Sequence, residues 1–211
     1  HLSLRRQRQM CIRDSVMIDN HDSFTYNLID YLKVQTTDEV KVISVDEVSI
    51  TKLKKLSPKA IIISPGPGKP SDYPVLSTII SHYDQLIPIL GVCLGFQLIV
   101  EYYGGRIIHS PKPIHGHTTT LRHTNEGIFK GLPQEFNVMR YHSLMVDSEY
   151  IPNTLKVTAT NDENVIMAVQ HQYLSIYGVQ YHPESILSEY GHDQLKFCLL
   201  YTSPSPRDQR G

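Results

Sequence analysis

Cys93 stands in the run Ile89-Leu90-Gly91-Val92-Cys93-Leu94-Gly95-Phe96-Gln97, where a strand-like apolar stretch meets glycines and passes into helix-forming residues. A thiol at a tight strand-to-helix turn lies on the first peptide amides of the helix. Their partial positive charge favours thiolate, and the same amides can receive an oxyanion. These nine residues fit a buried structural cysteine equally well, because a free cysteine also behaves as a small hydrophobe.

A nucleophilic cysteine needs a base and a group to orient that base. Tyr181-His182-Pro183-Glu184 supplies both, since residues two apart in an extended segment project to one side and Glu184 can then steer the His182 imidazole. Pro183 stiffens the pair by restricting its own φ and that of His182. With 11 histidines in the chain, a His-x-Glu triplet alone also describes an ordinary surface pair. The third element is Ser64-Pro65-Gly66-Pro67-Gly68-Lys69-Pro70. Glycines between prolines let a rigid backbone approach a ligand closely, and one of its amides is placed to complete an oxyanion hole with that of Leu94. A plain tight turn is the alternative. A phosphate loop is discounted because Lys69 is followed by Pro70 rather than Ser or Thr.

The elements that must position these residues alternate through the first half: apolar runs at 16–19, 40–46, 60–64 and 86–92, each followed by a helical pattern at 23–33, 50–56, 74–83 and 94–103. Strands rich in Val and Ile separated by helices predict an α/β fold with a central, mostly parallel sheet flanked by helices. Its active loops should lie at the carboxyl ends of the strands. After Gly105 the pattern becomes β-rich, with strands expected at 106–109, 118–123, 137–141, 155–160, 165–170 and 176–181 and a closing helix at 188–197. Asn161-Asp162-Glu163-Asn164 is expected to be a hairpin turn.

The chain has 211 residues, 40% of them hydrophobic, enough for one sizeable core. Lys and Arg number 20 against 21 Asp and Glu, so no overall field attracts nucleic acid or an anionic membrane. The longest apolar stretch, 86–100, is interrupted by Pro88, two glycines and Gln97, and no membrane span is expected. The ends differ in composition. Residues 1–15 carry four arginines without periodicity, and 198–211 finish in Ser-Pro-Ser-Pro-Arg-Asp-Gln-Arg-Gly; both are expected to be non-native or disordered, leaving 16–197 as the domain. The first strand accordingly looks truncated before Val16. Of three cysteines only Cys93 lies in the body, which argues against a disulfide framework and for a reducing, cytoplasmic setting. His115 and His117 have no accompanying cysteine or acidic set, so no metal site is expected.

Taken together these motifs resemble the class I, triad-type glutamine amidotransferases, and among them the glutaminase subunits of anthranilate and aminodeoxychorismate synthases. The resemblance covers nearly all of 16–197. Its signposts are Ile18-Asp19-Asn20-His21-Asp22-Ser23-Phe24-Thr25-Tyr26-Asn27-Leu28, the Pro-Gly-Pro-Gly loop, Gly91-Val92-Cys93-Leu94-Gly95, Arg140-Tyr141-His142-Ser143-Leu144, and Gly178-Val179-Gln180-Tyr181-His182-Pro183-Glu184-Ser185. It implies a flavodoxin-like domain with an added β-rich part. It also implies a Cys93–His182–Glu184 triad hydrolysing glutamine to glutamate and ammonia, with Gly66, Pro67, Gly68, Leu94, Gln97, Ser143 and Leu144 holding the substrate. Gln97, one helical turn beyond Cys93, can face the same side. No cofactor is implied in this subunit. The implied partners are L-glutamine and a chorismate-binding synthase subunit, component I, with tryptophan and folate routes both open. An amidotransferase serving carbamoyl phosphate or GMP synthesis, and a catalytically silent regulatory subunit, are the alternatives. Two positions depart from the pattern: Phe96 stands where relatives often carry histidine, a change of packing more than chemistry, and His117 replaces lysine in a His-Gly-Lys segment.

Overall fold

The computed structural model describes residues 14–35 and 39–200. Among the described residues nine strands form one sheet, in the order β2-β1-β3-β4-β9-β8-β7-β5-β6. The first five, β2 (Val40–Ser44), β1 (Ser15–Asp19), β3 (Ala60–Ile63), β4 (Ile89–Val92) and β9 (Ile176–Val179), run parallel. The remaining four, β8 (Ile166–His171), β7 (Leu155–Asn161), β5 (Ile107–His123) and β6 (Glu135–Val146), continue it in antiparallel pairing. The β-rich part therefore extends the sheet, and the turn between β7 and β8 is the expected hairpin.

Side-chain alternation explains the layers. Val16 and Ile18, with Ile61, Ile63 and Ile89, join Leu53 of α2 (Ile50–Leu56), Leu76, Ile79 and Ile80 of α3 (Pro74–Tyr83) and Leu98 and Ile99 of α4 (Leu94–Tyr102) on one face. Met17, Ile62 and Leu90 point the other way, to Leu28, Ile29 and Leu32 of α1 (Thr25–Gln35) and Leu195 of α5 (Gly191–Leu200). Strands covered on both faces must be apolar at every position, and β3 and β4 are buried throughout. Local signals set the helix ends: the Ser49 side chain accepts the Lys52 amide at the start of α2, and Pro74 opens α3.

Three expectations need correction. Ser15 belongs to β1, pairing with Val40 on one side and Ala60 on the other, so the strand matches β2 residue for residue; Asp14 before it is buried against Lys41. At the other end α5 begins at Gly191 and runs through Leu200, past the expected bound. The remainder of the two ends, 1–13 and 201–211, lies outside the described residues. Finally, the segments at 106–109 and 118–123 are one 17-residue strand, β5, with register irregularities at His109/Ile114 and His115/His117. Pro111 and Pro113 fall within the first of these irregular stretches. They are accommodated because β5 meets β7 only at 121–123, and elsewhere forms a ribbon with β6 whose other edge needs no ladder donors. No helix of the described residues is long and apolar enough to cross a membrane.

Candidate active site

The carboxyl ends of β3, β4 and β9 converge, and each delivers one of the motifs. Cys93 follows β4 with φ 51° and ψ −99°, a conformation rarely adopted outside glycine. Its amide donates to the Val179 carbonyl at 2.8 Å, tying the turn to β9. Gly91 and Gly95 allow the turn to close: a Cβ on Gly91 would lie 2.3 Å from the Gly95 carbonyl carbon, and one on Gly95 would lie 2.5 Å from the Ile63 oxygen. Leu94 takes the first helical position, where the amide has no acceptor within the helix.

His182 and Glu184 leave the end of β9. His182 Nδ1 lies 2.7 Å from Glu184 Oε1 and both side chains are buried. The His182 amide donates to Met139 on β6, and Ser188 Oγ donates to the His182 carbonyl at 2.6 Å while accepting from the Met139 amide. The segment is thereby clamped between β6 and the loop ahead of α5. Burial opposes charge on His182, but Cys93 and then Glu184 outweigh it and push its pKa up to about 10. Nε2 of His182 has no hydrogen bond of ordinary geometry, although Cys93 is the strongest influence favouring the imidazolium; the pair sits at close range without a formed bond. Phe24 and Tyr141 box the imidazole, with ring centroids 5.5 and 5.3 Å away.

The proline-glycine loop is held from below. The Asn20 amide donates to Ser64 Oγ at 3.0 Å, and its side-chain nitrogen donates to the Ser64 carbonyl at 2.9 Å. Tyr73 donates its hydroxyl to the Pro67 carbonyl. Gly66 presses on Asn20, where a Cβ would fall 2.6 Å from the asparagine Cβ, and Gly68 adopts φ +77°.

A cleft of about 140 Å³ opens beside Cys93, and all seven residues assigned to substrate by resemblance line it: Gly66, Pro67, Gly68, Leu94, Gln97, Ser143 and Leu144. His182 and Glu184 are buried and do not form part of the cleft wall. Ser143, two residues past the strand expected at 137–141, is on strand β6, because β6 continues through Val146 opposite the irregular stretch of β5. Tyr141 and His142 complete the wall. An adjoining cavity of about 430 Å³ shares Gly68, Ser143 and Leu144 but contains no cysteine.

Reading the motifs residue by residue missed several contributors. His142 donates Nδ1–H to the Leu144 carbonyl at 2.8 Å and accepts from Arg140 Nε at 3.1 Å. Burial first, then the Arg140 charge, lowers its pKa to about 4. Asp22 approaches His182, and burial raises its carboxyl against the opposing pull of the Phe24 amide and the imidazolium. Gln180 donates to Cys93 Sγ at 3.7 Å. Strand alternation was the available signal for Gln180, which shares its side with His182.

A buried cysteine at a positive-φ turn, beside a histidine held by a carboxylate, is an arrangement that suits cysteine-nucleophile chemistry. The family model for class-I glutamine amidotransferases matches residues 16–201. The chain belongs to that family. Anthranilate synthase component 2 of Pyropia yezoensis is 46% identical to this amidotransferase over 188 residues, covering 89% of it and 99% of the relative. Aminodeoxychorismate synthase component 2 of Escherichia coli is 41% identical over 180 residues, covering 85% and 96%. The amidotransferase spans only 24% to 51% of the length of the multifunctional tryptophan biosynthesis proteins of Phycomyces blakesleeanus and Pichia angusta. Among crystal structures, a glutamine amidotransferase of Thermotoga maritima shares its fold with a TM-score of 0.66 at 14% identity, over 82% of this chain and 76% of that one.

Proposed function

We propose that the chain hydrolyses L-glutamine and delivers the ammonia to a chorismate-aminating synthase subunit. The observation that carries this reading is Cys93 lining a cleft walled by the glycine loop, Gln97 and Ser143, with the buried His182–Glu184 pair beside it. The thiolate attacks the side-chain carboxamide carbon of glutamine. The resulting oxyanion meets the Leu94 amide and an amide of the Gly66–Gly68 loop, dipoles fixed before the charge develops. Collapse breaks the C–N bond. His182 gives its Nε2 proton to the leaving nitrogen, ammonia departs, and a glutamyl thioester remains on Cys93. Neutral His182 then takes a proton from water as the oxygen attacks the thioester; the C–S bond breaks and glutamate leaves. Glu184 holds Nδ1 throughout and steadies the cationic form of the ring.

The synthase partner is supported by relatives that this chain covers almost end to end in alignment, named as component 2 of anthranilate and of aminodeoxychorismate synthases. Ammonia is the only product such a partner would need from this site, and no cofactor is required for the amide cleavage described. The test measures glutamate release with and without each of two component I proteins, one anthranilate-forming and one aminodeoxychorismate-forming, beside Cys93→Ala. Loss of at least about 10³-fold in the variant is expected, together with partner-dependent amination of chorismate. Undiminished glutamate release from Cys93→Ala would refute the reading.

A further inference from the structure

We propose that Gln180 is a positioning residue that sets both the ionisation of Cys93 and the orientation of Gln97, through one buried carboxamide shared between them. The inference rests on the glutaminase reading above. Gln180 is fully buried. Its Nε2 donates to Cys93 Sγ at 3.7 Å, and its Oε1 accepts from Gln97 Nε2 at 3.1 Å.

Each of these contacts has a direction. An N–H aimed at sulfur favours thiolate, the better acceptor, whereas the Tyr141 carbonyl, 3.7 Å from the same sulfur, can only accept and so favours the protonated thiol. Gln180 thus supplies the contact that opposes Tyr141. At its other end, Gln180 fixes the polarity of Gln97. The Gln97 nitrogen is committed to Gln180 and to the Leu144 carbonyl at 3.4 Å, so the end of Gln97 left for a ligand is its carbonyl oxygen, an acceptor suited to the α-ammonium of an amino acid. The backbone makes Gln180 stiff enough for this. Its amide donates to the Met167 carbonyl at 2.8 Å, and the next side chain, Tyr181, is buried on the opposite face, where its hydroxyl bonds Gln194.

Two substitutions separate the two roles. Gln180→Glu loses the amide donor and keeps an acceptor for Gln97; Gln180→Met loses both. The primary readout is the pH dependence of Cys93 alkylation by iodoacetamide in the full chain, which needs no glutaminase turnover. The other charged groups around the sulfur are left in place: His182 backed by Glu184 and Asp22, and Arg140 behind His142 on β6. The alkylation midpoint should rise by about one pH unit in both variants, a tenfold loss of thiolate at fixed pH below the midpoint. KM for glutamine should rise only in Gln180→Met, and the kcat of Gln180→Glu should recover toward wild type as pH is raised. Coincident alkylation midpoints for wild type and folded variants would overturn the proposal even if the wild type proves an active glutaminase. A shifted midpoint in a chain that never releases glutamate would instead count against the functional reading alone. Should neither variant fold, the wild-type protein decides by NMR: the side-chain amide resonance of Gln180 must titrate with the Cys93 midpoint, and one that ignores it overturns the assignment.

Discussion

Arg140 donates its Nε to Nε2 of His142 across 3.1 Å, placing a buried cation against a histidine that lines the nucleophile's cleft. The contact dictates a tautomer: with Nε2 accepting, the proton sits on Nδ1 and reaches the Leu144 carbonyl, which in turn receives Gln97. Protonating His142 would break this arrangement. Because its folded pKa lies near 4, below the ordinary 6.5, the unfolded chain binds the extra proton first as pH falls. Stability should therefore decline between pH 6.5 and 4, by up to about 3 kcal/mol from this group. Urea unfolding across that range should show the decline in wild type and a shallower one in His142→Gln.

His182 has the opposite sign. Its folded pKa is raised, so its stabilisation is complete below pH 6.5 and is lost as pH climbs toward 10. Replacing it with Asn should flatten the alkaline limb of the stability profile. The same substitution removes the cation that favours thiolate, so Cys93 alkylation at pH 7 should slow by about tenfold or more. An unchanged alkylation rate would show that the ion pair does not activate the sulfur.

The nucleophile turn leaves no room at its glycines. Gly95→Ala would drive a methyl group to 2.5 Å from a backbone oxygen of β3, which cannot yield as a flexible side chain would. Loss of about 2–4 kcal/mol is expected by denaturant titration, from overpacking added to a displaced helix start. Activity should fall more steeply than stability, since any relief of the clash moves Cys93.

Phe96 is wholly buried among Val100, Val146, Leu155, Ile166 and Val169, and Gly178 lies hard against its ring, where a Cβ would come within 2.9 Å. Phe96→His would place a polar ring in that apolar cluster. A cost of about 1–3 kcal/mol is expected in thermal or denaturant unfolding, with kcat/KM nearly unchanged well below the melting temperature. A large change in kcat/KM with intact stability would give Phe96 a part in the chemistry.

The candidate site residues were legible because their signals are local. Gly91 and Gly95 flank Cys93 at the spacing a closed turn demands, Pro183 holds His182 and Glu184 extended, and Ser49 and Pro74 mark helix starts that the structure reproduces at Ile50 and Pro74. Each is written within a few residues, where backbone sterics and capping act without help from the rest of the chain. The continuity of β5 across two prolines was not legible, because it depends on an edge left unpaired, and neither was the place of Ser143 on a strand.

The sequence by itself singled out Cys93, His182 and Glu184 as candidate nucleophile, base and orienting carboxylate, and required that an alternating β/α pattern build a sheet buried on both faces. Only the tertiary structure decided what surrounds them: Gln180 reaching Gln97 across 83 positions, Tyr141 and Phe24 enclosing His182, and His142 buried against Arg140. Such contacts join segments remote in the chain through the register of a nine-stranded sheet. Register is a collective outcome of packing, and no single stretch of residues encodes it.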